Sequence, residues 1–274
     1  MSGLQLTEFS GGSFIESPLI EIGEGFKIGK NVRIKCKSSF RIGNYCRIGD
    51  QVTADANNIS IGDHFFHYTP NLRIGGGGSQ FKDANLTIGD RCVVHNNYIN
   101  LARPIEIGND VGISPDTDLL THGFWNSMLK GFPYKYAGIK IRDGVIIGQR
   151  SFIMMGVEIA TNVVIGANST VTKSITTKNS IYAGSPARFI KDIVTPTHEE
   201  KELMTEEMMN LYLEYKPTRV KITLDYPYVQ INKAIINLEE ETIEGQEDTD
   251  TDKLRDWLRR YGIKIYTSRG FKSL

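Results

Sequence analysis

Three cysteines in 274 residues, no long apolar run and no net charge exclude several classes of protein at once. Cys36, Cys46 and Cys92 are odd in number and lack paired spacing. A disulfide framework is therefore not expected, and the three read as small buried hydrophobes. No apolar stretch approaches the about 20 residues that a bilayer-spanning helix needs, so no membrane span is expected. The 32 basic and 32 acidic residues cancel. That removes the electrostatic argument for nucleic acid or an anionic membrane as partner. The opening MSGLQLTEFSGGSF has no basic start followed by an apolar core, so no secretory signal is read and the expected compartment is the cytoplasm.

What the chain does have is a period. Between residues 139 and 171 an aliphatic returns at every sixth position: Ile141, Ile147, Ile153, Ile159, Ile165 and Val171. Six is a multiple of the strand period of two, so all six side chains can point the same way, whereas a helix would scatter them. Small residues follow several of them, Gly148, Ala160 and Gly166, as a corner between short flat segments requires. The pattern predicts a β-solenoid built on a hexapeptide repeat. Looser Ile-Gly pairs carry it back to Ile22-Gly23. The register slips by two residues between Ile34 and Ile42, which keeps side chains on the same face. Residues 1–19 show no period and are expected to cover the open end of the solenoid.

The period vanishes over residues 120–138. LTHGFWNSMLKGFPYKYAG holds five aromatics, three glycines and one proline, too apolar for a solvated linker and too irregular for a strand. A break of this length in a regular fold is usually functional. Gly75 to Gly78 also interrupt the repeats, without the flanking helix pattern of a phosphate cradle, and read as a flexible loop. Beyond Lys191 the composition changes. Thr197 and Glu200 form a capping-box pattern, followed by Met204, Met208, Leu211 and Tyr215 at helical spacing. Two strands, a solvated acidic loop at 239–252, a helix bearing Leu254, Trp257, Leu258 and Tyr261 with Gly262 as its stop, and a strand at Ile263 and Ile265 are expected next. The expected division is 1–19, a repeat domain at 20–192, and a small α+β domain at 193–274.

The run IIGQRSFIMMGVEIATNVVIGANSTVTKSI, followed by YAGSPARFIK, resembles the signature of the hexapeptide-repeat acyltransferases. The resemblance implies a mainly β fold, a left-handed parallel β-helix with an irregular excursion loop. The handedness comes from the resemblance alone, since the general crossover rule favours the right-handed form. It also implies an acetyl-CoA-dependent O- or N-acetyltransferase. Such an enzyme acts on a small-molecule acceptor, here a sugar of a cell-surface polysaccharide or its precursor, and works as a homotrimer with sites between subunits. An antibiotic or amino-acid acceptor, and a non-catalytic scaffold, are the alternatives.

Thr121-His122-Gly123 matches the family's catalytic histidine at the edge of the loop. Histidine suits a general base because its unperturbed pKa is near neutrality. Asp116, Asp118 or a backbone carbonyl are the candidates to orient it. The resemblance further implies acceptor contacts from His95, Asn97 and Trp125. Donor contacts are implied along Gly148, Gly166 and Ala167, with phosphate contacts from Lys173 and Arg188 and a thioester-oxygen contact from the Gln149 N–H. No serine or cysteine has a nucleophile's context, so direct attack in a ternary complex is expected. Some hexapeptide-repeat proteins bind zinc through converging histidines. His64 and His67 lie three apart and His95 and His122 far along the chain, so no metal is expected.

Overall fold

The computed structural model describes residues 3–76, 81–215 and 220–271. The expected loop at 75–78 falls partly outside them, since residues 77–80 are not described. The chain divides into two compact units, 1–193 and 194–274.

In the first unit the hexapeptide step becomes geometry. Ile141, Ile159, Ile147, Ile165, Ile153 and Val171 are each 1% exposed or less. They lie on three faces in turn, and those three steps apart stack on one another. Ile141 pairs in register with Ile159, Ile147 with Ile165, and Ile153 with Val171, all in parallel. One coil therefore takes 18 residues (159 − 141), three hexapeptides around a triangle. The fold is mainly β, a parallel β-helix, with its core a continuous column of aliphatics from Ile15 to Ile175. Each isoleucine removed from water in this column contributes roughly 1.5–3 kcal/mol.

The Ile-Gly-Asx pairs mark one corner. A Cβ on Gly43, Gly62, Gly89 or Gly108 would come within 2.2, 2.1, 2.5 and 2.2 Å of the side-chain oxygen of Asp63, Asp90, Asn109 and Asp143 in the next coil. Those oxygens accept the backbone N–H of Asn44, Asp63, Asp90 and Asn109 at 2.6–2.8 Å. Each turn thus supplies the acceptor that its neighbour's corner lacks, which only glycine leaves room for.

The early slip has a simple cause. Arg33–Ile42 runs unbroken over two faces, with its register shift between Cys36 and Ser39. At the N-terminal end Gln5–Phe9 folds back antiparallel on Ser13–Ser17, which in turn pairs with Arg33–Ile42. Cys36, Cys46 and Cys92 are buried and free. Burial pushes the Cys36 thiol up to about 12 and that of Cys46 to about 11, so neither is a ready nucleophile.

The second unit departs from the sequence expectation in two places. The helix His198–Tyr215 is present, with Thr197 and Glu200 bonded reciprocally as a capping box. The sheet, however, has four antiparallel strands: Ile222–Asp225, Tyr228–Ile231, Ala234–Asn237 and Thr242–Gly245. The helix bearing Leu254, Trp257 and Leu258 is present as Thr249–Leu258, but its first turn and the fourth strand come out of the 239–252 stretch expected to be a solvated acidic loop. Its acids have structural work. Asp248 caps that helix, and Asp252, 7% exposed, bonds Arg269 and lies 3.5 Å from the buried Arg255. Ile263 and Ile265 form no strand; the Ile265 carbonyl instead accepts from the Arg255 guanidinium.

Candidate active site

The chain leaves the coils at residues 120–138, between the strands Asp118–Leu119 and Ile139–Ile141. This excursion is less irregular than its composition suggests. His122–Gly123 pairs antiparallel with Lys135–Tyr136, so a short hairpin carries the loop away from the coil and back. The pairing places Tyr136 against the imidazole of His122, rings parallel within 10° and centroids 5.4 Å apart. Phe124 approaches the same imidazole at 5.5 Å. Arg103 covers Tyr136 at 5.2 Å from its ring centroid and lies 3.6 Å from Asp83.

His122 is half-buried, and its Nδ1 lies 2.6 Å from Oδ1 of Asn100. Its Nε2 has no hydrogen-bond partner among the described residues. Burial lowers its pKa from the ordinary histidine value, which favours the neutral ring. Neither aspartate nominated from the sequence orients it. Asp116 accepts from Gln149 Nε2 at 3.2 Å and lies 3.9 Å from Arg150. Asp118 sits half-buried in a strand between Tyr98 and Phe152, its pKa raised by burial and then by Asp116.

Asn100 was not found from the sequence. It is 2% exposed and ends the strand Tyr98–Asn100. Tyr98 pairs with Asp118 and Ile99 with Leu119, a step of 20 residues (118 − 98). Carrying that step forward sets Asn100 beneath Leu120, two residues from His122. A polar residue directly after the core residue Ile99 was the available signal.

The other nominated residues are scattered around this centre. Trp125 is 92% exposed. With Phe124, Phe132, Tyr134 and Met155 it lines an open trough of about 650 Å³ that adjoins Gly123. Asn97 spends its amide between coils, accepting from the Asp116 N–H at 2.9 Å and donating to the Pro70 carbonyl at 3.3 Å. His95 packs on Tyr68, ring centroids 4.1 Å apart, and its buried Nδ1 has no hydrogen-bond partner among the described residues. His67, far from His95 in the sequence, is brought to 6.2 Å from it. Among the described residues no group of three or more potential metal ligands forms.

On the proposed donor side, Gly148 lies against the next coil. A Cβ there would meet the Ala167 nitrogen at 2.6 Å, and one on Gly166 would meet the Ala183 Cβ at 2.9 Å. Coil stacking alone therefore demands both glycines. The Gln149 backbone N–H has no partner among the described residues. Lys173 and Arg188 are exposed.

No family model and no curated protein matches the chain. Similar solved structures include a maltose O-acetyltransferase from Clostridium difficile 630, with 25% identity over 64% of this chain and 70% of that one and a TM-score of 0.37. The polySia specific acetyltransferase NeuO shows 21% identity over 72% and 92%, with a TM-score of 0.49. The hexapeptide-repeat containing acetyltransferase VCA0836 from Vibrio cholerae O1 biovar eltor, complexed with acetyl coenzyme A, shows 24% identity over 49% and 72%, with a TM-score of 0.34. The coils of this chain form a hexapeptide-repeat β-helix, and solved structures similar to it are acetyltransferases.

Proposed function

We propose that the protein is an acetyl-CoA-dependent acetyltransferase that acylates a hydroxyl or amine of a sugar, with His122 as general base. The observation that carries this reading is the pose of His122: Nδ1 held by a buried side chain, Nε2 without a partner, and an open aromatic trough adjoining. In the reaction the acceptor's proton passes to Nε2 as its oxygen or nitrogen attacks the thioester carbonyl. The negative charge that develops on the carbonyl oxygen needs a donor, and the Gln149 N–H is the candidate. Collapse of the tetrahedral species breaks the C–S bond, and the imidazolium returns its proton to the departing thiolate. A base of this kind contributes roughly 10²–10⁴-fold.

Lys173 and Arg188 are the proposed partners of the coenzyme A phosphates, and Gly148, Gly166 and Ala167 the wall along which the pantetheine arm lies. For the acceptor, Trp125 offers an exposed ring face of the kind that packs on the apolar face of a sugar. His95 remains a candidate, whereas Asn97 has its amide engaged between coils. The strongly exposed Trp125 and Leu129 support burial of the loop against a neighbouring subunit, as a homotrimer would give. We place the protein in the cytoplasm, where acetyl-CoA and activated sugars are available, and assign cell-surface polysaccharide precursors as the acceptor class.

An acceptor screen that follows thiol release from acetyl-CoA tests the reading. The expected result is turnover with one sugar class that falls at least 100-fold in His122→Ala. Undiminished turnover in that variant overturns the assignment of the base, and absence of turnover across sugar, amino-acid and antibiotic acceptors overturns the enzyme reading.

A further inference from the structure

The amide group of Asn100 has two ends, and its surroundings decide which faces His122. Nδ2 lies 3.0 Å from the Gly76 carbonyl oxygen and 3.5 Å from that of Gly75. Carbonyl oxygens only accept, so the NH₂ end must face them. The opposite end is approached by the Thr121 N–H at 3.3 Å, which only donates. Two independent demands therefore agree, and Oδ1 faces the imidazole. An amide oxygen also only accepts, so the proton of His122 sits on Nδ1. Thr121 is itself pinned, since its hydroxyl oxygen accepts the Ala102 N–H at 2.9 Å.

We propose that Asn100 is the positioning residue of this site, an uncharged group that locks His122 in the tautomer with its lone pair on Nε2. The proposal rests on the reading of His122 as base. It adds that the orienting group carries no charge, which alters how the base responds to pH. A carboxylate at this place would stabilise the imidazolium and hold the ring protonated to higher pH. An amide orients equally well without doing so. Among the described residues, the groups packed around the ring supply no compensating anion. Phe124 and Tyr136 lie against it, Tyr98 reaches it only through Asn100, and behind Tyr136 stands the Arg103 guanidinium, near Asp83. The base is thus biased toward its deprotonated form and gives up the carboxylate's help to the imidazolium.

Long-range ¹⁵N–¹H correlation spectra of selectively ¹⁵N-histidine-labelled protein test this without any substrate, with His122→Gln assigning the ring. In the wild type at neutral pH, Nδ1 is expected to show the protonated, pyrrole-type shift and Nε2 the pyridine-type shift. Asn100→Asp is expected to keep that tautomer and raise the pH midpoint of His122 by about one unit or more. Asn100→Ala is expected to give a tautomer mixture and lower kcat about 100-fold, with the KM for acetyl-CoA within about twofold. Tyr98→Phe, which removes only the far contact of Asn100, is expected to leave the tautomer unchanged. A wild-type ring protonated on Nε2 overturns the proposal even if no variant folds, and so does an unmoved midpoint in a folded Asn100→Asp. If the tautomer is as expected and no acyl transfer is found, the positioning role stands and the reading of the base falls.

Discussion

Two histidines of the β-helix make the same bond and face opposite fates. His67 occupies a core position in the wall of the solenoid, where the coil before it places Ile48. Its Nδ1 donates to the Val94 carbonyl, it is wholly buried, and its Nε2 has no hydrogen-bond partner among the described residues. His122 also donates from Nδ1, to Asn100, but the hairpin at the break in the repeat leaves it half-buried beside an open trough. The same tautomer is inert in the wall and usable at the break. On the proposed reading, what distinguishes the base is access for the second nitrogen, which the excursion loop supplies.

The largest test of that contrast lies at the break. His122→Ala is expected to lower kcat/KM by roughly 10²–10⁴-fold in a thiol-release assay, about 3–5 kcal/mol of transition-state stabilisation. His67→Leu, in the wall, is expected to leave turnover unchanged.

Acid should act on the wall first. Burial, then the neighbouring His67, depresses His95 to about 4, and burial lowers His67. Both bind protons more weakly folded than unfolded. Stability from this source is complete above the unfolded value of about 6.5 and is lost as pH falls toward about 4, by up to roughly 3 kcal/mol for His95. Urea midpoints at pH 7 and pH 4.5 measure it, and His95→Gln is expected to flatten the difference.

A smaller effect comes from the corner ladder. Gly62→Ala drives a methyl into Asp90, whose oxygen would stand 2.1 Å away. About 1–3 kcal/mol of destabilisation is expected, read as a lower thermal midpoint with the site chemistry retained. Least costly is the double substitution Lys173→Ala, Arg188→Ala. Both cations are exposed, so folding is unaffected, and the Kd for acetyl-CoA is expected to rise about tenfold.

The wall was legible because its rule is local. A six-residue step of aliphatics stacks only one way, and Ile141 on Ile159 follows from arithmetic. His122 was open to nomination from its motif and the break beside it. Asn100 was not, because its role depends on a coil length of 20 residues there, two longer than the repeat. Aspartates near in sequence, Asp116 and Asp118, drew the reading toward charge, while the fold brought an amide. The strand Thr242–Gly245 was hidden for a related reason: in EEETIEGQEDTDTD the acids cap and pair within a folded unit, and composition alone reads them as solvated. Handedness is not contained in a period, whatever its regularity.

The division between wall and break is tested most directly by measuring acetyl-CoA binding and thiol release side by side in His122→Ala and in the Lys173→Ala, Arg188→Ala pair. The account predicts opposite losses. The histidine variant binds acetyl-CoA within about twofold of wild type and turns over at least 100-fold more slowly, and the cation variant binds about tenfold more weakly with kcat nearly intact. Turnover that survives His122→Ala, or a single loss common to both variants, would contradict it.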